Sequence, residues 1–415
     1  MAYPALEDET AMRFGPLLRR HRAAVGLTQR MLADLSTVSV RAIRDLERGK
    51  ARPRQDTVRL LTSALRLGRC ASDDLELAAG GRTGRALRDE YGPRIAAPPT
   101  VLAPMFGRDT ELGAVVREVA DGGGRLLTVH GLPGVGRTRL AAAVAADLHR
   151  TGMPVLWVTA PHADGPLGQP VRDPRLADVV GALGAALFDP AAPAPSLAAF
   201  LGDRDTLLVL DGVGTVRPRA DVLLGLLGDC PRLRVLVTAD GPCGLPGERP
   251  FLLAPLPVPA SGEPRELAEE PAVRLFVHHA ARHRLSAADA PDIAAVCALT
   301  DGLPPALAAA ASWLEVYDLP TLRDLLRADP GALVGADLMA RLGARVAVLT
   351  PADRAALAGL AGPARTLDEV ATSTGRTIAA AGALVRDLLQ RGLIGARHAA
   401  GHSRFAVPAL VGALL

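Results

Sequence analysis

The chain has 415 residues, enough for two to four domains that each bury a core of their own. Hydrophobic residues make up 49% and aromatic residues 3%, which argues against a disordered chain and predicts cores of alanine, leucine and valine. The four cysteines form no C-x-x-C pair, so neither a zinc site nor a disulfide framework is indicated. No secretory signal or membrane span is evident, and we expect a cytoplasmic protein with no membrane attachment.

The formal net charge of +3 conceals a basic segment. Twelve arginine and lysine side chains and four carboxylates lie between Arg13 and Leu60, a net of +8, so the remainder of the chain carries −5. A basic block on an otherwise acidic chain indicates a polyanionic partner. A solvated cationic face is the alternative that charge alone leaves open.

Helical periodicity predicts a compact all-α bundle in this basic segment. Apolar residues recur at helical spacing over 14–26, and Thr28 is a suitable N-cap for a second helix. Ser39 caps a third helix that ends at Gly49, and residues 56–67 form the last helix.

The third helix has two faces. Ile43 and Leu46 are expected to face the core, whereas Val40, Arg41 and Arg44 are expected to point outward near its start. Guanidinium groups at such positions suit the O6 and N7 acceptors of guanine. A helical bundle used for protein contacts is the alternative.

Three motifs carry a resemblance. TQ at 28–29, VS at 38–39 and LERGKARP at 46–53 match, and residues 14–67 resemble the helix-turn-helix domain of phage-repressor (XRE-like) type. The resemblance implies double-stranded DNA as a partner and assigns residues 10–70 to a DNA-binding domain. The DNA contacts it implies are Thr28, Gln29 and Ser39 near the groove rim, Val40, Arg41 and Arg44 on the bases, and Lys50, Arg52 and Arg54 on the backbone.

A boundary follows the bundle. The segment GPRIAAPPTVLAPM at 92–105 is rich in proline and small residues, which is typical of an extended, exposed connection. Residues 71–103 are therefore predicted to be a partly helical, proline-rich linker.

Residues 131–138, GLPGVGRT, match a phosphate-binding loop pattern, and we call them the 131–138 segment. An apolar run at 126–130 precedes it and an alanine-rich helical stretch at 138–150 follows it, as such loops require. Glycines let the backbone wrap an anion, and the helix N-terminus directs N–H groups at it. A glycine-rich turn without a ligand is the alternative.

Arg137 occupies the position at which such loops carry lysine. Arginine keeps the charge but is larger, planar and forked, so it does not simply replace a lysine in the same space. Lys50 is the only lysine in the chain, which shows a general preference for arginine. Thr138 remains available to ligate magnesium. We expect binding to persist and hydrolysis to be weak or absent.

Apolar strands alternate with helices after this segment. Strands are predicted at 153–160, 206–212, 233–239 and 251–257, with a helix over 176–188. Continuous apolar strands separated by helices predict a parallel α/β sheet that is covered on both faces. Asp211 ends a buried strand, where a magnesium-binding carboxylate is expected; a strand-capping aspartate without metal is the alternative.

Residues 104–415 are similar to signal-transduction ATPases of the NB-ARC (STAND) type. The matching motifs, besides the 131–138 segment, are FGRD at 106–109, LLVLDG, LRVLVTAD, LPGERPFLLAPL at 245–256, AVRLFVHHA at 272–280 and DGLPPAL at 301–307. The resemblance implies a P-loop NTPase-like domain (104–260), a helical domain (261–335) and a winged-helix domain (336–415) with a hairpin at 393–397 and 404–407. The chain would thus combine all-α and α/β domains.

The same resemblance implies ATP or ADP as a cofactor, with Mg²⁺ held by Thr138 and Asp211 only alongside nucleotide. The third helix of the wing, 377–392, carries few positive charges, and in this family it more often packs on the nucleotide domain than binds DNA. The implied nucleotide contacts are Phe106, Gly107, Arg108, Gly131, Gly134, Val135, Gly136, Arg137, Thr138, Arg139, Asp211 and Pro304.

Three departures from the family pattern surround one phosphate position. Arg137 replaces lysine, Gly212 follows Asp211 in place of a second acidic or amide residue, and Ala239 and Asp240 replace a serine and the arginine that senses the γ-phosphate. A carboxylate in place of an arginine should weaken ATP relative to ADP by like-charge repulsion. Together the departures predict a degenerate ATPase site.

These features favour a DNA-binding transcriptional regulator that carries a nucleotide-binding module. Repressor-type domains often work as dimers, so a homodimer or larger assembly is expected. Two alternatives remain open: an active ATPase switch that uses Asp211, and an interaction scaffold in which a pseudo-ATPase domain holds a protein partner.

Overall fold

The computed structural model describes residues 8–51, 53–67, 71–72, 75, 78–79, 96–100, 104–120, 123–161, 174–192, 198–201, 204–214, 216–258, 262–281, 283, 285–399 and 402–415. Most of the predicted linker, 71–103, lies outside them. The chain forms two compact units. The first comprises Met1–Pro99, Ala145–Leu210 and Thr215–Val235, and the second comprises Thr100–Val144, Asp211–Gly214 and Leu236–Leu415. The division into five domains stays a prediction.

The predicted N-terminal bundle is present in the first unit. Thr28 accepts a hydrogen bond from the Met31 amide at 3.1 Å, and Ser39 accepts one from the Ala42 amide at 3.2 Å, so both predicted N-caps are confirmed. The bundle consists of α1 (Asp8–Ala24), α2 (Gln29–Ser36), α3 (Val40–Glu47) and α4 (Gln55–Ala64).

The core of this bundle joins all four helices. Ile43 and Leu46 are buried, as predicted, together with Phe14, Leu18, Leu32 and Leu61. Gly15 is required by close packing, since a Cβ atom there would lie 2.6 Å from the Leu46 carbonyl oxygen. The first helix therefore lies directly against the end of the third.

A buried ion pair connects three helices of the bundle. The Glu47 side chain, 4% exposed, accepts hydrogen bonds from Arg22 Nε at 2.6 Å and Nη2 at 3.0 Å, and from Gln29 Nε2 at 2.7 Å. Burial alone would raise the pKa of Glu47, but these hydrogen bonds and the Arg22 charge lower it below its ordinary value. The carboxylate thus stays ionised in the bundle and holds α1, α2 and α3 together.

A five-stranded parallel sheet has the strand order β2-β3-β4-β1-β5. The apolar run at 126–130 is a strand, and the strands predicted at 153–160, 206–212 and 233–239 are confirmed with small shifts of their ends. The strand predicted at 251–257 is wrong in its bounds: it begins at Glu248 and ends at Leu252, and beyond it Pro255 and Pro257 have no N–H with which to extend a ladder. The strands are β1 (Leu126–His130), β2 (Val155–Thr159), β3 (Thr206–Val213), β4 (Leu233–Ala239) and β5 (Glu248–Leu252).

Helices precede, connect and follow these strands, and a hairpin lies near the C-terminal end. The hairpin was predicted at 393–397 and 404–407; it is β6 (Gly395–Ala399) and β7 (His402–Ala406). The helices are α5 (Asp109–Ala120), α6 (Arg137–Arg150), α7 (Pro174–Phe188), α8 (Ala198–Leu201), α9 (Ala220–Asp229), α10 (Pro264–Glu269), α11 (Pro271–His279), α12 (Ala290–Leu299), α13 (Pro304–Ser312), α14 (Leu319–Ala328), α15 (Ala336–Ala347), α16 (Pro351–Gly359), α17 (Leu367–Thr374), α18 (Ile378–Gln390) and α19 (Ala409–Gly412).

Asp301 binds the N-terminal end of the last helix, α19, in the second unit. It has a positive φ of 55°, which is uncommon for a residue with a side chain, and its carboxylate accepts from the amides of Ala409 at 2.6 Å and Leu410 at 2.7 Å. Burial raises the pKa of Asp301 to about 6 in spite of these hydrogen bonds. The turn before α13 is thereby joined to α19.

The ion pair of Glu47 predicts a stability effect. We expect Glu47→Gln to lower the opening free energy of α2 and α3 by about 3 kcal/mol, since Arg22 loses its buried counter-ion. The folded-state pKa is lowered, so the stabilisation is present above about pH 4.5 and is lost as the pH falls through the folded value. Amide hydrogen exchange of the full chain at pH 7 measures the effect. Asp45→Asn, which removes only the exposed pair with Arg41, is the control and should change exchange little.

The raised pKa of Asp301 predicts the opposite pH dependence. The folded state holds a proton that the unfolded state releases above about pH 4, so the free energy of unfolding should fall by about 1 kcal/mol between pH 5 and 7.5 because of this group. Asp301→Asn should remove that part of the change in denaturant titrations. Asp318→Asn is the control, since Asp318 caps α14 and has a lowered pKa. An unchanged pH dependence in Asp301→Asn would contradict the role.

Candidate functional site

Two arginines on α3 present their charges to solvent. The Arg41 side chain is 92% exposed, and its closest ion-pair partner, Asp45, is 4.0 Å away. Arg44 is exposed one turn further along the helix, and Lys50 and Arg54 are exposed after it. Arg52 lies outside the described residues. The exposed cations therefore follow one another from the start of α3 to the start of α4.

Two of the predicted base-contacting or rim residues have other partners. Val40 does not point fully outward. It lies three residues before Ile43, close to the same face of α3, so it is half-buried and packs against the bundle core. The Gln29 amide donates to Glu47, so its N–H₂ group is engaged inside the bundle. Thr28 and Ser39 accept from backbone amides as N-caps, yet each hydroxyl still has its own O–H to donate.

The backbone of the 131–138 segment has the conformation that its glycines predict. Gly134 has φ +79°, and a Cβ atom there would lie 2.5 Å from Pro305 Cγ. Gly136 has φ +103°, but a Cβ atom there would meet open space. Gly134 therefore permits close packing, whereas Gly136 borders free volume beside the N-terminus of α6.

The Arg137 side chain is directed to the end of β4. Its Nη1 atom donates to Asp240 Oδ1 at 2.7 Å and also to the Ala239 carbonyl oxygen. Arg137 and Asp240 are two of the positions at which the sequence differs from the motifs it resembles, and in the structure they contact each other. The Asp240 carboxylate, for which the sequence predicted repulsion of a γ-phosphate, has its charge balanced by Arg137.

Asp211 lies at the centre of a buried hydroxyl cluster. Asp211 is 2% exposed, and its Oδ1 atom accepts hydrogen bonds from Thr138 Oγ1 and from Thr238 Oγ1, each at 2.7 Å. Burial raises the pKa of Asp211, against the opposing effect of the two hydroxyls and the Arg137 charge. Thr238, which the sequence interpretation did not include, also accepts from the Gly212 amide at 2.8 Å and so fixes the end of β3 to β4.

The donor set around Asp211 fits a magnesium ion that also contacts phosphate. Mg²⁺ is usually held by one or two protein oxygens, with water and phosphate completing the octahedron, and Thr138 Oγ1 and Asp211 Oδ1 are neighbouring oxygens of that kind. No group of three or more His, Cys, Asp or Glu side chains suited to a metal occurs among the described residues. A Cβ atom at Gly136 would meet open space, and the Arg137 side chain is directed to Asp240.

The FGR motif packs on the 131–138 segment. Arg108, 5% exposed, donates to the carbonyl oxygens of Val135 at 3.3 Å and Ala254 at 2.7 Å, and to Glu111 at 2.7 Å. Its guanidinium thus positions backbone and is not free to bind a ligand. A Cβ atom at Gly107 would lie 2.2 Å from Pro271 Cβ, so this glycine is needed for packing on α11.

Phe106 forms an aromatic and cationic cluster with α11. Its ring centroid lies 5.3 Å from that of His278, and the Arg274 guanidinium carbon lies 5.8 Å above the ring. Pro304 begins α13, and its neighbour Pro305 contacts Gly134 as described above. The FGR and GLPP motifs and the 131–138 segment, far apart in sequence, are therefore adjacent in the second unit. Arg139 is half-buried, and its charge helps to lower the pKa of His279, after burial and His278.

Arg345 is a second cation at Asp240 that sequence reasoning missed. It lies on α15, its Nη1 atom is 3.8 Å from Asp240 Oδ2, and its Nη2 atom donates to the Asp240 carbonyl oxygen and, at 2.9 Å, to that of Arg391. Burial lowers the pKa of Arg345 below its ordinary value, and the Asp240 charge opposes that shift. No motif includes Arg345, so its contact with Asp240 is evident only from the tertiary structure.

The end of α18 also packs beside the 131–138 segment. A Cβ atom at Gly392 would lie 3.2 Å from Leu132 Cγ, so the residues that follow α18 lie against this segment. His130, at the end of β1, is buried, and burial lowers its pKa. It is therefore neutral at pH 7 and adds no charge there.

Comparison with known proteins supports the N-terminal domain. Residues 18–69 match the family model described as Helix-turn-helix, so an XRE-type helix-turn-helix domain lies near the N-terminus of this chain. No helix in the described part of the chain is both long and apolar enough to cross a membrane.

Several mycobacterial proteins are similar to a larger part of the chain. An uncharacterized protein of Mycobacterium tuberculosis and one of Mycobacterium bovis are each 29% identical over 241 residues, which covers 56% of this chain and 57% of each relative. A putative HTH-type transcriptional regulator of Mycobacterium tuberculosis is 29% identical over 226 residues, which covers 51% of this chain and 23% of that protein. The chain thus spans little more than half the length of the first relatives. The alignments are longer than the 18–69 match, and this chain has distant similarity to putative HTH-type regulators.

Proposed function

We propose that the protein is a DNA-binding transcriptional regulator whose helix-turn-helix domain reads a DNA site. The observation that carries the proposal is the pair of exposed arginines, Arg41 and Arg44, on the third helix of a matched helix-turn-helix domain. In such domains this helix enters the major groove, where arginine forks bind guanine edges. The similarity to putative HTH-type regulators supports the same function.

We further propose that the second unit binds ADP or ATP and hydrolyses ATP weakly or not at all. Support comes from the glycine conformations of the 131–138 segment and the Thr138–Asp211 contact. The engagement of Arg137 by Asp240 argues against a triphosphate-hydrolysing site, since the charge of this arginine is already paired with a carboxylate. An NB-ARC (STAND) type of module, with nucleotide controlling assembly of a homodimer or larger species on half-sites about 34 Å apart, is part of this proposal.

The reading of DNA by α3 is tested with two single variants. Sites are first selected from random duplexes, and affinities are then measured for the selected and a scrambled duplex across a salt series. Arg41→Ala and Arg44→Ala should each weaken the selected site by about 1–3 kcal/mol and leave the scrambled duplex nearly unaffected. Arg386→Ala, an exposed arginine on α18, is the control.

Equal losses on both duplexes would mark the two arginines as phosphate contacts. If the wild-type protein forms no specific complex even at low salt, an interaction scaffold with a protein partner becomes the better interpretation.

The nucleotide proposal predicts binding without turnover. Purified protein should retain ADP or ATP detectable by mass spectrometry. With Mg²⁺ and ATP it should release phosphate no faster than Asp211→Asn, because the group that would stabilise transferring charge is paired with Asp240. Turnover that depends on Asp211 would establish the active ATPase switch instead.

A further inference from the structure

The cation of the 131–138 segment already has an anionic partner within the chain. Arg137 and Asp240 are 103 positions apart in sequence, and their side chains, 18% and 39% exposed, meet at 2.7 Å. The Ala239 carbonyl oxygen accepts from the same Nη1 atom. The Nη1 atom of Arg137 therefore donates to two oxygens at the end of β4.

The partner of Arg137 is itself held from the other side. Arg345 contacts both the carboxylate and the carbonyl oxygen of Asp240, and it also donates to the carbonyl oxygen of Arg391, which follows α18. The Arg345 side chain is 17% exposed and the Asp240 side chain 39%, so the arginine is largely buried and the carboxylate is partly open to water. The carboxylate of Asp240 is thus fixed between the 131–138 segment and α15.

Electrostatics gives the consequence for an incoming phosphate. A carboxylate in contact with a guanidinium cancels most of the field that the cation would exert on an anion a few ångströms further away. The phosphate would also approach Asp240 itself, in a half-buried position where screening by solvent is incomplete. Binding of an anion by Arg137 is therefore in competition with the Arg137–Asp240 pair.

We propose that Asp240 is a built-in counter-ion that inhibits the phosphate site: it occupies Arg137 until an anion displaces it. This inference rests on the proposed nucleotide-binding function of the second unit. Displacement would also free Asp240 to move toward Arg345. Binding of an anion to the 131–138 segment would therefore change the contacts of α15 and of the end of α18. An alternative role, in which Asp240 orients Arg137 for the phosphate, predicts the opposite effect of removing the carboxylate.

The first experiment measures binding of inorganic pyrophosphate and of ADP to the full chain by calorimetry. Asp240→Asn keeps the shape of the side chain but removes its charge, and it should tighten binding about fivefold to tenfold relative to the wild type. Asp353→Asn is the matched control, since Asp353 pairs with Arg376 at 2.9 Å with similar exposure and lies outside the 131–138 segment. If the wild-type protein binds these ligands and Asp240→Asn binds them equally or more weakly, the inhibitory role of Asp240 is overturned, while the proposed nucleotide binding is not.

The second experiment does not depend on any ligand. Thermal unfolding is measured for Arg137→Gln, Asp240→Asn and the double variant. If the two side chains interact, the decrease in melting temperature of the double variant should be no larger than that of the more destabilised single variant. Additive losses would show that the contact is absent in solution and would overturn the proposal. If the pair couples but neither wild type nor Asp240→Asn binds pyrophosphate, ADP or ATP, the nucleotide function fails and Asp240 is only a structural partner.

Discussion

The contact between Arg137 and Asp240 determines where the charge of the 131–138 segment lies. The guanidinium extends along the end of β4, where the Ala239 carbonyl oxygen and the Asp240 carboxylate both accept from it. Because Arg345 holds Asp240 from α15, the same contact connects the turn after β1 with helices near the C-terminal end. A lysine at position 137 would carry a compact ammonium on a different stem, so the same contact cannot be assumed for it. The residue types at 137 and 240 are therefore best understood together.

The helix-turn-helix domain depends on a comparable contact. Glu47 is buried at the end of α3 and accepts from Arg22 and Gln29. A buried carboxylate requires such partners, because an unpaired charge away from water is costly. The contact sets the orientation of α3 relative to α1 and α2, and with it the direction in which Arg41 and Arg44 face solvent. The basic segment thus contains arginines of two kinds: Arg22, which is part of the domain's interior, and Arg41 and Arg44, which are exposed to solvent.

Sequence periodicity predicted most elements and some of the site. The N-caps Thr28 and Ser39, the buried pair Ile43 and Leu46, and strands such as 233–239 follow from local rules, and the structure confirms them. The last strand, predicted at 251–257, spans Glu248–Leu252: it begins at charged residues that the apolar pattern left out, and the apolar composition that continues to Pro257 does not prolong it. Local composition alone does not distinguish an apolar strand from the apolar segment that continues beyond it.

The role of individual polar side chains was harder to predict. Gln29 and Arg108 belong to motifs that suggest ligand contacts, yet their polar groups bind Glu47 and backbone carbonyls inside the protein. Thr238 and Arg345 belong to no recognisable motif, and they contact Asp211 and Asp240. Motifs specify residue types at short spacing, but they say nothing of a partner a hundred positions away.

The amino-acid sequence by itself determined the helical bundle with its N-caps, the alternating strands and helices, and the presence of a glycine-rich turn with an arginine. These features arise from spacing and residue type within a few turns of chain. Only the tertiary structure decided which carboxylate neutralises which arginine. That choice depends on which segments are adjacent once the cores are packed, since an ion pair forms at distances of a few ångströms and not along the sequence.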